Sequence, residues 1–127
     1  MLETIVALAT PNGRSGIGVL RLSGSHSLGI LRSLLGDDSF SPKARKAYLR
    51  QLFDQTTSEP IDDALVTFFK APNSFTGEDV VEISCHGSPV LLRQVLDICL
   101  SQDARMAEPG EFSLRAVANG RIDLAEA

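Results

Sequence analysis

The sequence predicts an α+β domain, a mixed β-sheet packed with two to three helices. Three observations carry that prediction. Apolar residues recur in short segments that read as strands, at Thr4 to Ala9, Ile17 to Leu22, Ala47 to Phe53, Asp62 to Phe69 and from Asp79 to Cys85. Between them, Ser25 to Leu35 and Val90 to Leu100 space their apolar residues as amphipathic helices do. Strands and helices are interleaved with strands in excess, which points to a mixed sheet. At 127 residues the chain is one domain, long enough to bury its own core.

Each element has its own justification. Thr4 to Ala9 is an apolar strand, followed by a loop built on Pro11, Gly13 and Gly16. Ile17 to Leu22 is a second strand that ends at Ser23-Gly24. The helix over Ser25 to Leu35 carries Leu28, Leu31, Leu34 and Leu35 on one face, with Ser25 or Ser27 as its cap and Gly36 as its stop. Asp37 to Ala44 is a polar loop, Ala47 to Phe53 a strand, and Asp54 to Pro60 a polar turn before the strand Asp62 to Phe69. Ser88 followed by Pro89 marks a helix start, and Val90, Leu91, Val95, Leu96, Ile98, Cys99 and Leu100 form its buried side. Ala104 to Ala107 is short and extended; Pro109 to Val117 is a short helix ended by Gly120. Asp123 caps a further helix, within which the chain stops. That reads as a domain cut from a longer protein, with residues 1–118 as the domain and 119–127 as the start of the next, helical one.

Composition narrows the function. Sixteen acidic residues against twelve basic ones give a net charge of −4, which argues against this piece as the main binding surface for a nucleic acid. A local basic run, Lys43, Arg45, Lys46 and Arg50, reads as solvated surface. Cys85 and Cys99 have neither CxxC spacing nor the density of a disulfide framework, and are expected to be reduced thiols. Residues 1–8 lack a leader's basic start and long apolar core, and no apolar run reaches the ~20 residues that span a bilayer. A cytoplasmic location with no membrane contact is the expectation.

The richest stretch runs from Pro72 to Gly87, PNSFTGEDVVEISCHG. Asn73, Ser74 and Gly77 supply turn chemistry, and Val80, Val81 and Ile83 open a β-branched strand. Glu82 shares a face with Val80 and Ser84 on a strand that looks apolar on both sides. A carboxylate there needs a donor partner or takes an upward-shifted pKa. The plain reading is that it pairs with a nearby arginine as structural glue. Arg21, flanked by Leu20 and Leu22, is the candidate. The run Gly13-Arg14-Ser15-Gly16-Ile17-Gly18 opens a strand instead of a helix, so it is not a dinucleotide loop, and GxxxxGK[ST] is absent. Its glycines are expected to allow close approach of a ligand or a second subunit, with Arg14 facing solvent unless a dimer covers it. His86 and Cys85, as strand neighbours, face opposite ways; His86 is expected to bond backbone, Asp62 and Asp63 to sit in a solvated turn, and His26 to need no special role. Glu111 and Arg115 are one helical turn apart and able to pair, with Phe112 in the core.

The stretch 72–87 resembles the N-terminal domain of the tRNA-modifying GTPase family called MnmE or TrmE. TIVALATPNGRSGIGVLRLSG (4–24) is similar to that family's opening strand, glycine-rich loop and second strand. EPGEFSLRAVA (108–118) resembles its "PGEF…RA" helix, and NGRIDLAEA (119–127) its junction into the next domain. These four segments cover about half of the chain, in order. The resemblance implies a tetrahydrofolate-binding and dimerising domain. The whole protein then adds a helical domain with an inserted GTPase domain using GTP, Mg²⁺ and K⁺. With the flavoprotein MnmG (GidA), it modifies carbon 5 of the wobble uridine of certain tRNAs. The one-carbon donor implied is 5-formyltetrahydrofolate or 5,10-methylenetetrahydrofolate. Arg21, Glu82 and Arg121 match the positions that contact the folate, with Arg121 where the family commonly has lysine. The fragment alone reads as a binding module, with no catalytic or metal-binding residues assigned. The rivals are a free-standing folate-dependent aminomethyl or formyl transferase and a structural dimerisation module without ligand.

Overall fold

The computed structural model describes residues 3–9 and 16–120. Its element order is β1 (Thr4–Leu8), β2 (Ile17–Ser23), α1 (Ser27–Leu35), β3 (Ala47–Asp54), β4 (Glu59–Phe69), β5 (Val80–His86), α2 (Pro89–Leu100), β6 (Ala104–Met106) and α3 (Glu111–Ala118). The six strands form one sheet in the order β3-β4-β5-β2-β1-β6. All neighbours are antiparallel except β1 and β6, which run parallel. The sheet is therefore mixed and the class α+β, as the sequence predicts. Among the described residues no helix is long and apolar enough to cross a membrane.

The register sorts side chains between two faces. Leu20 pairs with Leu8 and Ile83, and Ile83 with Val66. These residues, with Val6, Leu22, Val81 and Leu52, meet α1 and α2 in one core. The alternate residues, Arg21, Glu82 and Thr67 in one paired row, stand on the opposite face. Ile17, Leu49 and Leu65 are exposed on that second face.

Local chemistry explains most ends. Gly36 closes α1 in the left-handed conformation (φ 63°). Ser88 caps α2 by accepting from the Leu91 N–H, with Pro89 at the first turn. At the start of α1, neither Ser25 nor Ser27 acts as the cap. His26 takes that place without a side-chain bond, and the Ser27 hydroxyl donates to the Asp79 carbonyl (3.2 Å). In α2, Val90 is 79% exposed, and Leu92 fills the buried face instead. β4 begins three residues earlier than expected and pairs Pro60 with Phe53 beside a register shift at the sheet edge.

The glycine-rich opening is corrected at one position. Gly18 makes room for this chain's own helix: a Cβ there would come within 2.5 Å of the Leu92 side chain. Neither ligand nor second subunit is needed to explain it. Gly13 and Arg14 lie outside the described residues.

Candidate functional site

Arg21 and Glu82 are brought together by the β2–β5 register, which sets them directly opposite each other. Arg21 Nε donates to Glu82 Oε2 at 2.9 Å, and Nη2 donates to the same oxygen at 2.5 Å. Oε1 takes part in neither bond. The buried carboxylate expected from an apolar strand is in fact 29% exposed and its partner 31%, because none of the described helices covers this face. The pair is the one the plain reading expects.

The pair opens onto a cleft of about 110 Å³ walled by Phe69, Val80 and Phe75. Phe69 and Val80 face each other across β4 and β5. Phe75 is 46% exposed and comes from the 70–79 loop, which is tied down at several points. Ala71 N–H donates to Asp79 Oδ1 at 2.9 Å, and Ser74 Oγ donates to the Glu78 carbonyl. Ser23 Oγ shares a 2.7 Å bond with Thr76 Oγ1 and lies 2.6 Å from Glu78 Oε1. Asn119 Nδ2 reaches the Thr76 carbonyl at 2.8 Å.

Behind that loop is an ion network. Arg115, 3% exposed, donates Nη1 to Glu78 Oε1 at 3.0 Å, and Nη2 to Glu111 Oε2 at 3.2 Å and to the Glu3 carbonyl at 2.7 Å. The Glu111–Arg115 pair stands as expected. Arg105 adds two bonds to Glu111, at 2.8 and 2.6 Å. The Arg105 bonds hold the Glu111 carboxyl down at about 2, against the opposing push of burial. Phe112, expected in the core, is only half-buried.

At the far end of β5, His86 Nδ1 lies 2.8 Å from Asp62 Oδ1, and its backbone N–H donates to Oδ2 at 2.9 Å. Asp62 is thus a partner on β4, not part of a solvated turn, and His86 bonds a carboxylate, not backbone. Burial pushes the Asp62 carboxyl up, and the His86 N–H and ring outweigh it, leaving it below the usual range. Cys85 and Cys99 are free and buried, and desolvation raises the thiols to about 11 and about 12. Neither is a poised nucleophile.

Sequence reasoning missed the aromatic walls and the Glu78–Arg115 link. Glu78 sits in the quoted stretch, but its partner is 37 positions away and no local period connects them. Arg121 lies outside the described residues.

The fold agrees with what the comparisons find. Residues 4–121 match the family model described as "GTP-binding protein TrmE N-terminus". The chain belongs to that family. It is 47% identical over 127 residues to the "tRNA modification GTPase MnmE" of Koribacter versatilis, covering 98% of this chain and 28% of the relative. The proteins of the same name from Aromatoleum aromaticum and Moorella thermoacetica are 50% and 44% identical over 98% of the chain, covering 27% and 28% of their lengths. The TrmE N-terminal domain thus spans about a quarter of the relatives it matches.

Proposed function

We propose that this domain binds a reduced folate at the Arg21–Glu82 face, as the cofactor module of a larger GTPase that modifies tRNA. The observation that carries the reading is an ion pair, about one-third exposed, opening onto an aromatic cleft on the sheet face that none of the described helices covers. An exposed pair contributes only ~1 kcal/mol or less to stability, so a ligand exchanges for it at little cost. The donor set suits a folate. A carboxylate accepts from the amino group and adjacent ring N–H of a pterin, and a guanidinium takes the anionic benzoyl-glutamate tail. Glu82 would hold the ring and Arg21 the tail, with Arg121 as a further cation. Phe69 and Phe75 offer the ring apolar walls. The bound folate supplies a one-carbon unit, in the form of 5-formyltetrahydrofolate or 5,10-methylenetetrahydrofolate.

A cleft of about 110 Å³ falls short of the ~300 Å³ at the lower end of small-molecule sites. A second copy of the domain, packed on the exposed Ile17, Leu49 and Leu65, supplies the missing wall in this reading. The rest of the activity lies with the whole protein: GTP hydrolysis with Mg²⁺ and K⁺, the partner MnmG, and the wobble uridine as acceptor. Residues 119–127 lead into its helical domain.

Isothermal titration of the chain with 5-formyltetrahydrofolate, paired with sedimentation, tests this. Saturable binding that strengthens dimer formation supports it. The closed ion pair also fits a purely structural module, and a folded chain that binds no folate leaves that reading standing.

A further inference from the structure

The described cations fall into two groups. Arg21, Arg93, Arg105 and Arg115 each contact a carboxylate, and Arg32 donates Nε to the Phe40 carbonyl. Lys43, Arg45, Lys46, Arg50 and Lys70 form no ion pair among the described residues. All five are exposed and belong to one corner of the sheet. Four lie on the approach to β3 and on β3 itself, and the fifth follows β4. The Arg45 N–H donates to the Phe68 carbonyl at 2.7 Å, and Ala47 pairs with Thr67, so the two segments run side by side.

Aromatic rings, instead of carboxylates, hold two of the heads. The Arg50 guanidinium lies 5.4 Å from the Phe40 centroid and 5.2 Å from that of Tyr48; Lys46 Nζ lies 5.1 Å from Tyr48. The rings meet edge to face at 5.4 Å. Ring faces orient a cation without cancelling its charge. The carboxylate at the loop's start, Asp37, is turned onto Ser39, taking its N–H and hydroxyl. A chain with net charge −4 therefore keeps five positive charges without an ion pair, among the described residues, at one corner.

We infer that this corner is a contact surface for the phosphodiester backbone of RNA. Phosphates ask for fixed, unpaired cations and nothing more. A protein partner asks for an apolar centre, yet Tyr48 and Phe40 already lie under the cations. The exposed Leu49 and Leu65 stand on the other face of the sheet. With cations over their faces the rings do not stack on bases, so the contact is indifferent to sequence. The choice of RNA among polyanions rests on the proposed tRNA-modifying function.

The experiment is an anisotropy titration of the chain against fluorescein-labelled bulk tRNA from about 50 to about 200 mM salt. Binding weakens with salt. The Lys46→Gln/Arg50→Gln double variant binds about tenfold more weakly at low salt, and its log–log salt slope is smaller by about 2. Arg93→Glu alters net charge by the same amount at a cation already paired with Asp97, and leaves binding unchanged. Lys43→Gln/Lys70→Gln, which touches no ring, repeats the loss if the first variant does not fold. Calorimetry with 5-formyltetrahydrofolate gives the same affinity for all folded variants, so the two sites stand or fall separately. A wild-type chain without salt-dependent binding, or an Arg93→Glu loss equal to that of the double variants, overturns the inference.

Discussion

Arg115 and Arg21 are both arginines that bond a glutamate across the fold, and they do opposite things. Arg115 is buried, spreads its donors over two carboxylates and a carbonyl, and ties α3 to Glu3, the residue before β1, and to the 70–79 loop. Arg21 places two donors on one oxygen at an open sheet face. Charge and residue type are the same. Burial and partner count separate them: Arg115 is 3% exposed among three acceptors, and the Arg21–Glu82 pair is about one-third exposed on a single oxygen, at the site of the proposed ligand.

The hardest blow to this contrast is Arg115→Ala. It leaves Glu78 and Glu111 short of a buried partner, and urea denaturation is expected to show a loss of about 3–5 kcal/mol. A loss near that of an exposed pair removes the distinction. Glu82→Ala comes next and acts on binding. Calorimetry should record about 1.5–3 kcal/mol weaker affinity for 5-formyltetrahydrofolate, while stability changes by less than about 1 kcal/mol. Unchanged affinity in a folded variant takes Glu82 out of the site.

Gly18→Ala probes the opposite face of β2. The new methyl presses on Leu92, so stability should fall by about 1 kcal/mol with folate affinity intact. A change in affinity means the two faces communicate. Acid is the mildest intervention. The folded-state pKa of Glu111 lies below its ordinary value, so its contribution is whole above about 4.5 and disappears as pH falls through about 2. Stability measured by urea at successive pH values should decline across that window, and Glu111→Gln should flatten the decline.

The strands and helices were legible because burial on one side imposes a period, and because Ser88-Pro89 and Gly36 have local roles. The Arg21–Glu82 pair was also within reach, since both residues sit in strands whose alternation fixes their faces. The aromatic walls were not: Phe69 and Phe75 become neighbours of Glu82 only through the β4–β5 register and a loop held from α3. The Asp62–His86 pair failed for the same reason. A strand boundary misplaced by three residues left Asp62 at the head of a strand, where a turn seemed enough to explain it. Gly18 looks in sequence like space for something external, because no pattern in the chain foretells that α2 lies down against β2 at Leu92.

The two cysteines have a use that their chemistry alone does not suggest. Cys99 is fully enclosed and Cys85, on the central strand β5, is 5% exposed, so neither thiol meets an alkylating reagent while the domain stays shut. Labelling of each then clocks a different breathing motion, one of the sheet beneath the proposed folate face and one of the helix packed behind it. Ligand that slows the Cys85 clock and leaves Cys99 unmoved reports, without any engineered probe, which half of the domain it grips.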